Sequence, residues 1–403
     1  MNKTVMRQVP QSWDRQGLPA CTYHSRALFD IERTELFLNH WQIAGHVGDI
    51  PGPGDWLSFD LLDERALVIR DQSGVVHAFH NLCRHRGARL VAGEAGTCRS
   101  ALVCPFHGWV YNMDGTLRGP SRPETFGDLD RSRFGLKPIE MEIWNGFIFL
   151  RFNPGPQPSV KALLAPFAAD FEAHGASDFL PAEEHGWVAR LPVNWKSVRD
   201  VDNEGYHVAM AHPALQDLYG RTYRDLTYTN GISASYAEFG EHPGRLWSVR
   251  NYLRIAPVQE HLPARLRRSW TYYGLFPNAV IAFTPESAQF YQDIPLSPGE
   301  TELRGRLYRH PNESRATRLA RYLAYRIDRE TGLEDQRLSI WSNESMRSSA
   351  FDEFHLSDLE FGVRNHHDQI RRLLPVARLR DAPAELEVAT RNNDLLRDQK
   401  IPV

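Results

Sequence analysis

The sequence predicts an α+β protein in which a small all-β module precedes a larger domain of mixed helices and strands. Three observations predict this class. The chain has 403 residues, which is more than one hydrophobic core usually organises. Short apolar runs separated by turn signals fill residues 41–152, whereas helical and strand-like periods are mixed after residue 158. The proline-rich string at residues 153–158 cannot continue a strand ladder and therefore separates the two regions.

Each element is predicted from its local pattern. Residues 24–41 have the apolar spacing of a helix. The strands of the all-β module are predicted at QIAGHV, WLSFDLL, RALVIR, VVHAFHN, ALVCPF, GWVYN and FIFLRF. Beyond the module, helices are predicted at 159–174, 194–219, 313–346 and 356–373, and strands within about 245–310. The domains are therefore expected at residues 41–153 and 154–403, with residues 1–40 as a helical segment that packs with the second domain.

The composition is ordinary for a soluble globular protein, with 42% hydrophobic and 24% charged residues. The net charge of -3 gives no reason to expect a nucleic-acid or membrane-surface partner. No run approaches the roughly 18 apolar residues of a membrane span, and the N-terminus lacks an apolar signal-peptide core. Four cysteines are too few for a disulfide scaffold of this size, which fits a cytoplasmic location and favours metal binding.

Two short motifs each combine a cysteine with a histidine. Cys83 and His85 form the first pair, and Cys104 and His107 form the second, with 18 residues between His85 and Cys104. A 2Fe-2S cluster with two Cys and two His ligands requires this set of side chains. A structural zinc site accepts the same set, but zinc fingers usually place their cysteines in one motif and their histidines in the other. The mixed motifs therefore favour the cluster. The two remaining cysteines are not needed as ligands.

His207 and His212 form a second candidate metal site. Two histidines and one carboxylate on one face of an Fe(II) ion leave positions open for oxygen and substrate. Five residues of a regular α-helix turn through about 500°, so both imidazoles reach one metal only if the helix is distorted. We therefore expect a π-type turn near Val208 to Ala211. Taken alone, this spacing is more typical of two unrelated core or surface histidines.

Taken together, these motifs resemble those of the Rieske non-haem iron oxygenases, in the alpha subunits of the aromatic-ring-hydroxylating type. The strings CRHRGARL and CPFHGWVY resemble the cluster motifs of that family, and the Glu-x-Tyr-His-x4-His string resembles its iron motif. The resemblance covers most of the chain. It implies an all-β Rieske 2Fe-2S domain and a catalytic domain with an antiparallel sheet flanked by helices. The implied ligands are Cys83, His85, Cys104 and His107 for the cluster, and His207 and His212 for the mononuclear Fe(II).

The same resemblance implies that an Asp on a C-terminal helix is the third iron ligand. Asp335 stands where that helix is expected to begin, and it shares a helix side with Leu338 and Trp341. Glu334 and Glu344 are the competing carboxylates, turned from Asp335 by about 100° and 180° on a continuous helix. The alternative interpretation of Asp335 is a solvated carboxylate in the first turn of a helix, where the helix dipole favours it.

Glu204 stands where the resembled family has an acid, commonly Asp, that joins a cluster histidine to an iron-ligating histidine across a subunit boundary. The matching cluster ligand here is His107. In having Glu at this position, the chain resembles the family branch that acts on quaternary ammonium compounds such as carnitine and glycine betaine. The aromatic-rich segment from Tyr272 to Tyr291 is expected to line or back the pocket, and ring faces attract such cations. These features predict oxidative N-demethylation of a quaternary ammonium compound, and mono- or dioxygenation of the ring of an aromatic acid is the alternative.

The implied function is that of a terminal oxygenase component, which uses O2 to hydroxylate a small organic substrate. No G-x-G-x-x-G motif follows a strand, so the electrons are expected from a separate NAD(P)H-dependent reductase or ferredoxin. The resemblance also implies a homotrimer. A Rieske electron carrier without oxygenase chemistry is the alternative of another class. It would need only about the first 155 residues, and the second metal motif argues against it.

Overall fold

A computed structural model describes residues 6–7, 9–228, 231–381 and 383–398 of the chain. Its internal contacts divide the chain into two compact units. One unit is Leu38–Val160, and the other combines the residues up to Phe37 with those from Lys161 onward. The first is built from strands and short turns, whereas the second combines a large antiparallel sheet with helices. The predicted α+β class is confirmed.

A strand and two helical segments precede the strand unit, and the first helical segment is a 3-10 helix at Ala20–Tyr23. The others are the strand β1 (Met6–Arg7) and the helix α1 (Arg26–Glu32), which continues as a π-helical turn over Arg33–Phe37. The Ser25 side chain caps α1 by accepting a hydrogen bond from the Leu28 N–H at 3.1 Å. Helical structure therefore covers most of the segment predicted as a helix at 24–41.

The strand unit contains three small antiparallel sheets. Their strands are β2 (Gln42–His46), β3 (Asp55–Leu61), β4 (Glu64–Arg70), β5 (Val76–His80), β6 (Ala95–Thr97), β7 (Leu102–Val103), β8 (Val110–Tyr111), β9 (Leu117–Gly119), β10 (Glu140–Trp144) and β11 (Phe147–Arg151). The sheet orders are β10-β11-β2, β5-β4-β3-β6 and β7-β8-β9. Every strand predicted in this region is present. Strands β6, β9 and β10 were not predicted because they are short or half-exposed and lack an apolar run.

The second unit has an eight-stranded antiparallel sheet in the order β1-β13-β14-β15-β16-β17-β18-β12. Its strands after β1 are β12 (Leu180–Leu191), β13 (Arg224–Tyr228), β14 (Ile232–Glu238), β15 (Ser269–Leu275), β16 (Ala279–Thr284), β17 (Ser287–Ser297) and β18 (Glu300–Arg309). Its helices after α1 are α2 (Val160–Leu164), α3 (Ala168–Ala173), α4 (Trp195–Asp202), α5 (Val208–Ala211), α6 (Pro213–Tyr219), α7 (Trp247–Ile255), α8 (Arg315–Ser345), α9 (Phe361–Leu373) and α10 (Val388–Asp398).

The long helix α8 begins at Arg315, where the Ser314 side chain accepts a hydrogen bond from the Thr317 N–H at 3.1 Å. Asp335 therefore lies far inside the helix, and the prediction that the helix begins near Asp335 is wrong. The side shared with Leu338 and Trp341 suggests that Asp335 faces inward. Asp335 does contact the buried His212, but Trp341 is 55% exposed, so its grouping with Asp335 is wrong. The buried stripe recurs every fourth residue, at Ile327, Thr331, Ser339 and Asn343. Asp335 continues this stripe, since positions four apart share one helix face.

A buried ion pair ties α1 to α4. The Lys196 Nζ lies 2.6 Å from the Glu32 Oε1, and the Trp195 Nε1 donates to the other Glu32 oxygen at 2.9 Å. The side chains of Glu32 and Lys196 are 0% and 1% exposed, so each charge depends on the other for its stability. Because α4 leads directly into the histidine-bearing segment, this pair also anchors the start of that segment.

We expect Glu32→Gln to destabilise this unit by about 3–5 kcal/mol, because the change leaves the Lys196 ammonium buried without a counter-charge. The shift of the thermal unfolding midpoint measures the effect. Glu302→Gln is the matched control, because Glu302 pairs at 3.1 Å with Arg190, whose side chain is 64% exposed. The control should lose less than about 1 kcal/mol. Equal midpoints for the two variants would contradict the role given to the buried pair.

Candidate metal centres and active-site cavity

His207 and His212 flank the four-residue helix α5. The N–H groups of Met210 and Ala211 both donate to the His207 carbonyl at 2.9 Å, and the His212 N–H donates to the Val208 carbonyl at 3.1 Å. The chain leaves helical geometry at His212, with φ -118° and ψ 82°, because a residue that precedes proline disfavours the α conformation. Pro213 begins the next helix. The predicted π-type turn is therefore wrong, and a proline break provides the distortion instead.

Three ligand-type atoms meet at one point in the second unit. The Nε2 atoms of His207 and His212 are 2.9 Å apart. The Asp335 Oδ1 lies 3.4 Å from the His207 Nε2 and 2.9 Å from the His212 Nε2. Ligands about 2.1 Å from one metal and at right angles around it are about 3 Å apart, so this set fits one face of an octahedral ion.

The second nitrogen of each imidazole contacts a carboxylate. The His207 Nδ1 contacts the Glu204 Oε1, and the His212 Nδ1 lies 2.8 Å from the Glu334 Oε2. An imidazole that donates from Nδ1 has an unprotonated Nε2. Two such lone pairs facing each other at 2.9 Å repel unless a cation lies between them. Carboxylates in this position typically orient metal-binding histidines.

The carboxylates of α8 have distinct positions. Asp335 approaches both Nε2 atoms, whereas Glu334 contacts the outer nitrogen of His212. Glu344 is exposed near the end of the helix. Sequence reasoning treated Glu334 only as a competing ligand and missed its contact with His212. Helical rotation between adjacent residues explains this contact, because it carries Glu334 past the ion position towards the outer side of the imidazole.

Glu204 lies between α4 and α5 and is not part of a helix, in contrast to the expectation of one continuous helix. The side chain is 8% exposed, and its Oε2 accepts a hydrogen bond from the His207 N–H at 3.2 Å. Its other oxygen contacts the His207 Nδ1. The carboxylate therefore holds both the backbone and the ring of His207.

The electrostatics of this cluster favour an added cation. Burial alone would lower the pKa of His207, but the hydrogen-bonded carboxylates of Asp335 and Glu204 outweigh burial and raise this pKa to about 10. Burial would raise the pKa of Asp335, but His207 and His212 lower it below its usual value. The carboxylates thus attract positive charge to the imidazoles, and a divalent ion competes with protons for the same nitrogens.

The two Cys-His motifs of the strand unit form loops of the same hydrogen-bonding pattern. In each loop the cysteine N–H donates to the carbonyl of the residue five positions later, at 2.7 Å for Cys83 and 2.8 Å for Cys104. The N–H groups of Gly87 and Gly108 donate back to the cysteine carbonyls at 2.9 and 3.0 Å. These glycines have φ values of +75° and +67°, a conformation that other residues rarely adopt.

The four side chains of these loops fit a 2Fe-2S cluster. The thiols of Cys83 and Cys104 are buried and free, and the rings of His85 and His107 are 4.7 Å apart. In the described part of the chain, the buried Nδ1 atoms of both histidines lack a hydrogen-bond partner. Buried polar atoms are normally satisfied, so two unsatisfied imidazole nitrogens on loops that also carry buried thiols fit a role as metal ligands. The Tyr111 hydroxyl lies 3.3 Å from the Cys83 sulfur.

A cavity of about 160 Å³ adjoins His207, His212 and Asp335. One water molecule needs roughly 15 Å³ measured in this way, so the cavity has room for a small organic molecule. Five aromatic side chains line it: Trp187, Tyr219, Tyr223, Tyr272 and Tyr291. Only two of them belong to the aromatic-rich segment that the sequence singled out. Alternation along a strand explains the difference, because Tyr273 points to the opposite face and is buried against Phe171.

Acidic side chains also line the cavity. Asp225 accepts a hydrogen bond from the Ser235 hydroxyl at 2.9 Å, and Asp328 accepts one from the Gln289 amide at 3.2 Å. Burial raises the pKa of Asp225 and of Asp328 to about 6, so both are mainly ionised near neutral pH. No sequence motif marked these two residues, because they reach the cavity from a strand and a helix that are distant in sequence.

Among the described helices, none is both long and apolar enough to cross a bilayer.

Comparison with known families identifies both units. Residues 40–127 match the Rieske [2Fe-2S] domain, and residues 180–375 match the catalytic domain of ring hydroxylating alpha subunits. The first range contains both Cys-His motifs, and the second contains His207, His212 and Asp335. The cofactors implied by the sequence, a 2Fe-2S cluster and a non-haem iron, are those of the two matched domains.

Two curated relatives are similar to part of the chain. The oxygenase subunit of glycine betaine monooxygenase from Pseudomonas aeruginosa is 37% identical over 199 residues, which are 49% of this chain and 45% of the relative. The chloroplastic choline monooxygenase of Spinacia oleracea is 33% identical over 211 residues, 51% of this chain and 47% of the relative. The matched region thus spans less than half of each relative.

A solved structure supports the fold over nearly the whole chain. The quaternary ammonium Rieske monooxygenase CntA superposes with a TM-score of 0.74 at 19% identity, covering 91% of this chain and 99% of CntA. The strand unit carries the two Cys-His motifs, the second unit carries His207, His212 and Asp335 beside a cavity, and each unit matches its own family. The chain therefore belongs to the Rieske non-haem iron oxygenase alpha subunits.

Proposed function

We propose that the chain is the terminal oxygenase component of a multicomponent Rieske oxygenase that removes a methyl group oxidatively from a quaternary ammonium compound. The observation that carries this proposal is the cavity beside His207, His212 and Asp335, which combines aromatic rings with the carboxylates of Asp225 and Asp328. Aromatic faces and carboxylates attract a cation that cannot donate hydrogen bonds. The relatives that act on glycine betaine and on choline support the same substrate class.

The proposed ligands are the residues predicted from the sequence. Cys83, His85, Cys104 and His107 would hold the 2Fe-2S cluster, and His207, His212 and Asp335 would hold the mononuclear iron. When bound, these groups supply the two electrons and the activation of O2 that the reaction needs. One oxygen atom enters an N-methyl C–H bond and the other leaves as water. The hydroxymethyl group then releases formaldehyde, and the nitrogen keeps the electron pair of the broken C–N bond.

The protein groups have separate tasks in this scheme. Glu204 and Glu334 orient the two imidazoles through their outer nitrogens. The aromatic lining excludes water from the reacting methyl group and orients it towards the metal. We propose that Glu204 also carries electrons from the cluster, by contacting His107 of a neighbouring subunit in a homotrimer.

The wider assignments belong to the same proposal. Residues 41–153 would deliver electrons, residues 154–403 would perform the oxygenation, and residues 1–40 would pack with the latter. A separate NAD(P)H-dependent reductase or ferredoxin would reduce the cluster. The cytoplasmic location expected from the cysteine content stays a prediction, and four free cysteines support it.

Two alternatives have direct tests. Hydroxylation of an aromatic acid would require a basic group for its carboxylate, and ring hydroxylation is the activity named in the matched family. A Rieske electron carrier would need no second metal site. An iron content of about three atoms per chain, rather than about two, would exclude the carrier.

We expect His207→Ala, His212→Ala or Asp335→Ala to remove about one iron atom per chain and abolish turnover while leaving the cluster spectrum intact. Cys83→Ser or His107→Ala should instead abolish the visible absorption of the cluster. Iron analysis and absorption spectra distinguish the two outcomes. Glu334→Gln is the control, because an amide oxygen still accepts the hydrogen bond from His212, so most of the iron should remain. Iron loss from Glu334→Gln but not from Asp335→Ala would refute the ligand assignment.

We expect Glu204→Gln to keep both metals but slow electron transfer from the cluster by at least about tenfold, because an amide cannot serve two imidazoles as a carboxylate does. Single-turnover oxidation of the reduced cluster measures this rate. Cluster oxidation at the unmodified rate would remove Glu204 from the electron route, while a loss of iron would give it a purely structural role.

We expect formaldehyde release and coupled O2 uptake with trimethylammonium compounds, using the purified protein with a surrogate reductase. Benzoate and phthalate should give no O2 uptake above background, because the cavity lining provides no unpaired basic side chain among the described residues. The reverse pattern would favour ring hydroxylation and exclude demethylation as the main activity.

A further inference from the structure

The cavity beside His207, His212 and Asp335 is lined by more acidic than basic side chains. Apart from these two histidines, Arg199 is the single basic side chain among its described lining residues. Arg199 is 2% exposed and forms ion pairs with two carboxylates, Asp202 at 2.9 Å and Asp293. Because two carboxylates offset one guanidinium, Arg199 does not offer a net positive charge to a ligand.

Two further carboxylates of the cavity lining differ from Asp202 and Asp293, because they do not pair with a guanidinium group of any described residue. Asp225 and Asp328 line the cavity, and each accepts a hydrogen bond from a neutral group, Ser235 for Asp225 and Gln289 for Asp328. In the part of the chain that the structure describes, neither forms an ion pair with Lys, Arg or His. A carboxylate without a counter-charge in a dry site favours a ligand that carries a positive charge.

Both features act against a ligand that carries a carboxylate. Such a group would enter a site where Asp225 and Asp328 are uncompensated, and like charges in a site of low dielectric repel strongly. It would also find the Arg199 guanidinium already paired. In a zwitterion such as glycine betaine, the attraction between the ammonium group and these carboxylates would therefore be offset by repulsion of the ligand's own carboxylate.

We infer that the substrate is an ammonium cation without a carboxylate group, bound between the aromatic rings and the carboxylates of Asp225 and Asp328. This inference rests on the proposed function and narrows its substrate class. A neutral hydroxyl or alkyl substituent satisfies it, and a terminal carboxylate does not. Asp225 and Asp328 become specificity-determining residues, and Asp293 becomes the residue that withholds Arg199 from anionic groups.

Three probes that share one shape test the inference on the iron-loaded holoenzyme. Choline is the cation, glycine betaine carries a carboxylate in place of the hydroxymethyl group, and the carbon isostere of choline is neutral. Isothermal titration calorimetry should show choline binding about tenfold or more tightly than either of the others. Formaldehyde release should follow the same order for the two ammonium compounds.

Variants test the named residues. Asp328→Asn and Asp225→Asn should each weaken choline about tenfold and leave the neutral isostere unchanged. Glu330→Gln, on the same helix as Asp328, is the matched control, because Glu330 pairs with Arg326 at the surface and both side chains are exposed. Asp293→Asn should shift the preference towards glycine betaine. Circular dichroism and iron content identify any variant that fails to fold, and the comparison of probes on the unmodified protein does not depend on the variants.

The outcomes separate the two levels of the proposal. Formaldehyde release from glycine betaine, with binding as tight as that of choline, would overturn the inference and leave demethylation intact. Equal binding of choline and its neutral isostere would overturn the role of the carboxylates. Absence of binding and of formaldehyde with every ammonium probe would overturn the proposed function together with the inference.

Discussion

Two imidazoles five residues apart meet at one point because the helix that carries them is interrupted. His207 precedes the short helix α5, and His212 lies at the break between α5 and Pro213, so that both imidazoles face the same cavity. The third atom comes from Asp335, inside a helix that is continuous for 31 residues. The site thus combines an irregular segment, which supplies adaptable geometry, with a long helix, which supplies a fixed reference.

The carboxylates around this point serve different purposes according to what they contact. Glu204 and Glu334 bind the outer nitrogens of the histidines, so their charge is shared with the imidazoles. Asp202 and Asp293 balance a buried guanidinium. Asp335 contacts both histidines. Among the described residues, Asp225 and Asp328 form no ion pair with a basic side chain, and their charge is available to a ligand. The role of each carboxylate is therefore decided by the group that it contacts, and not by whether it belongs to Asp or to Glu.

The strand unit and both metal motifs could be predicted from the sequence because their information is local. Short apolar runs predict strands, and ligand pairs within a few residues predict metal loops. The helix predicted at 313–346 matches α8, whereas the expectation that a helix begins near Asp335 was wrong, because Gly332 interrupts a helical pattern without ending the helix. The residues that share the buried face with Asp335 were mispredicted, because Trp341 lies outward and the buried stripe of α8 is partly polar.

The cavity wall could not be predicted from the sequence, since its residues come from strands and helices whose pairing is set by the whole sheet. Tyr272 lines the cavity and its neighbour Tyr273 does not, and only the register of β15 decides which of the two does so. Asp225 and Asp328 have no sequence signal for the same reason. An isolated acid in a sequence is most often a solvated surface group.

The position of Asp335 within α8 has a consequence for the free energy of the apoprotein. The carboxylates of α8 and the histidine segment are far apart in the chain, since His212 and Glu334 are 122 positions apart. An ion held by both segments acts as a reversible cross-link that closes a long loop. Because such an ion binds the folded site and not the unfolded chain, it stabilises the folded chain by an amount that grows with the ion concentration relative to the dissociation constant. Bound iron would therefore stabilise the tertiary structure as well as take part in the reaction. The fraction of chains that are folded would depend on the concentration of free iron.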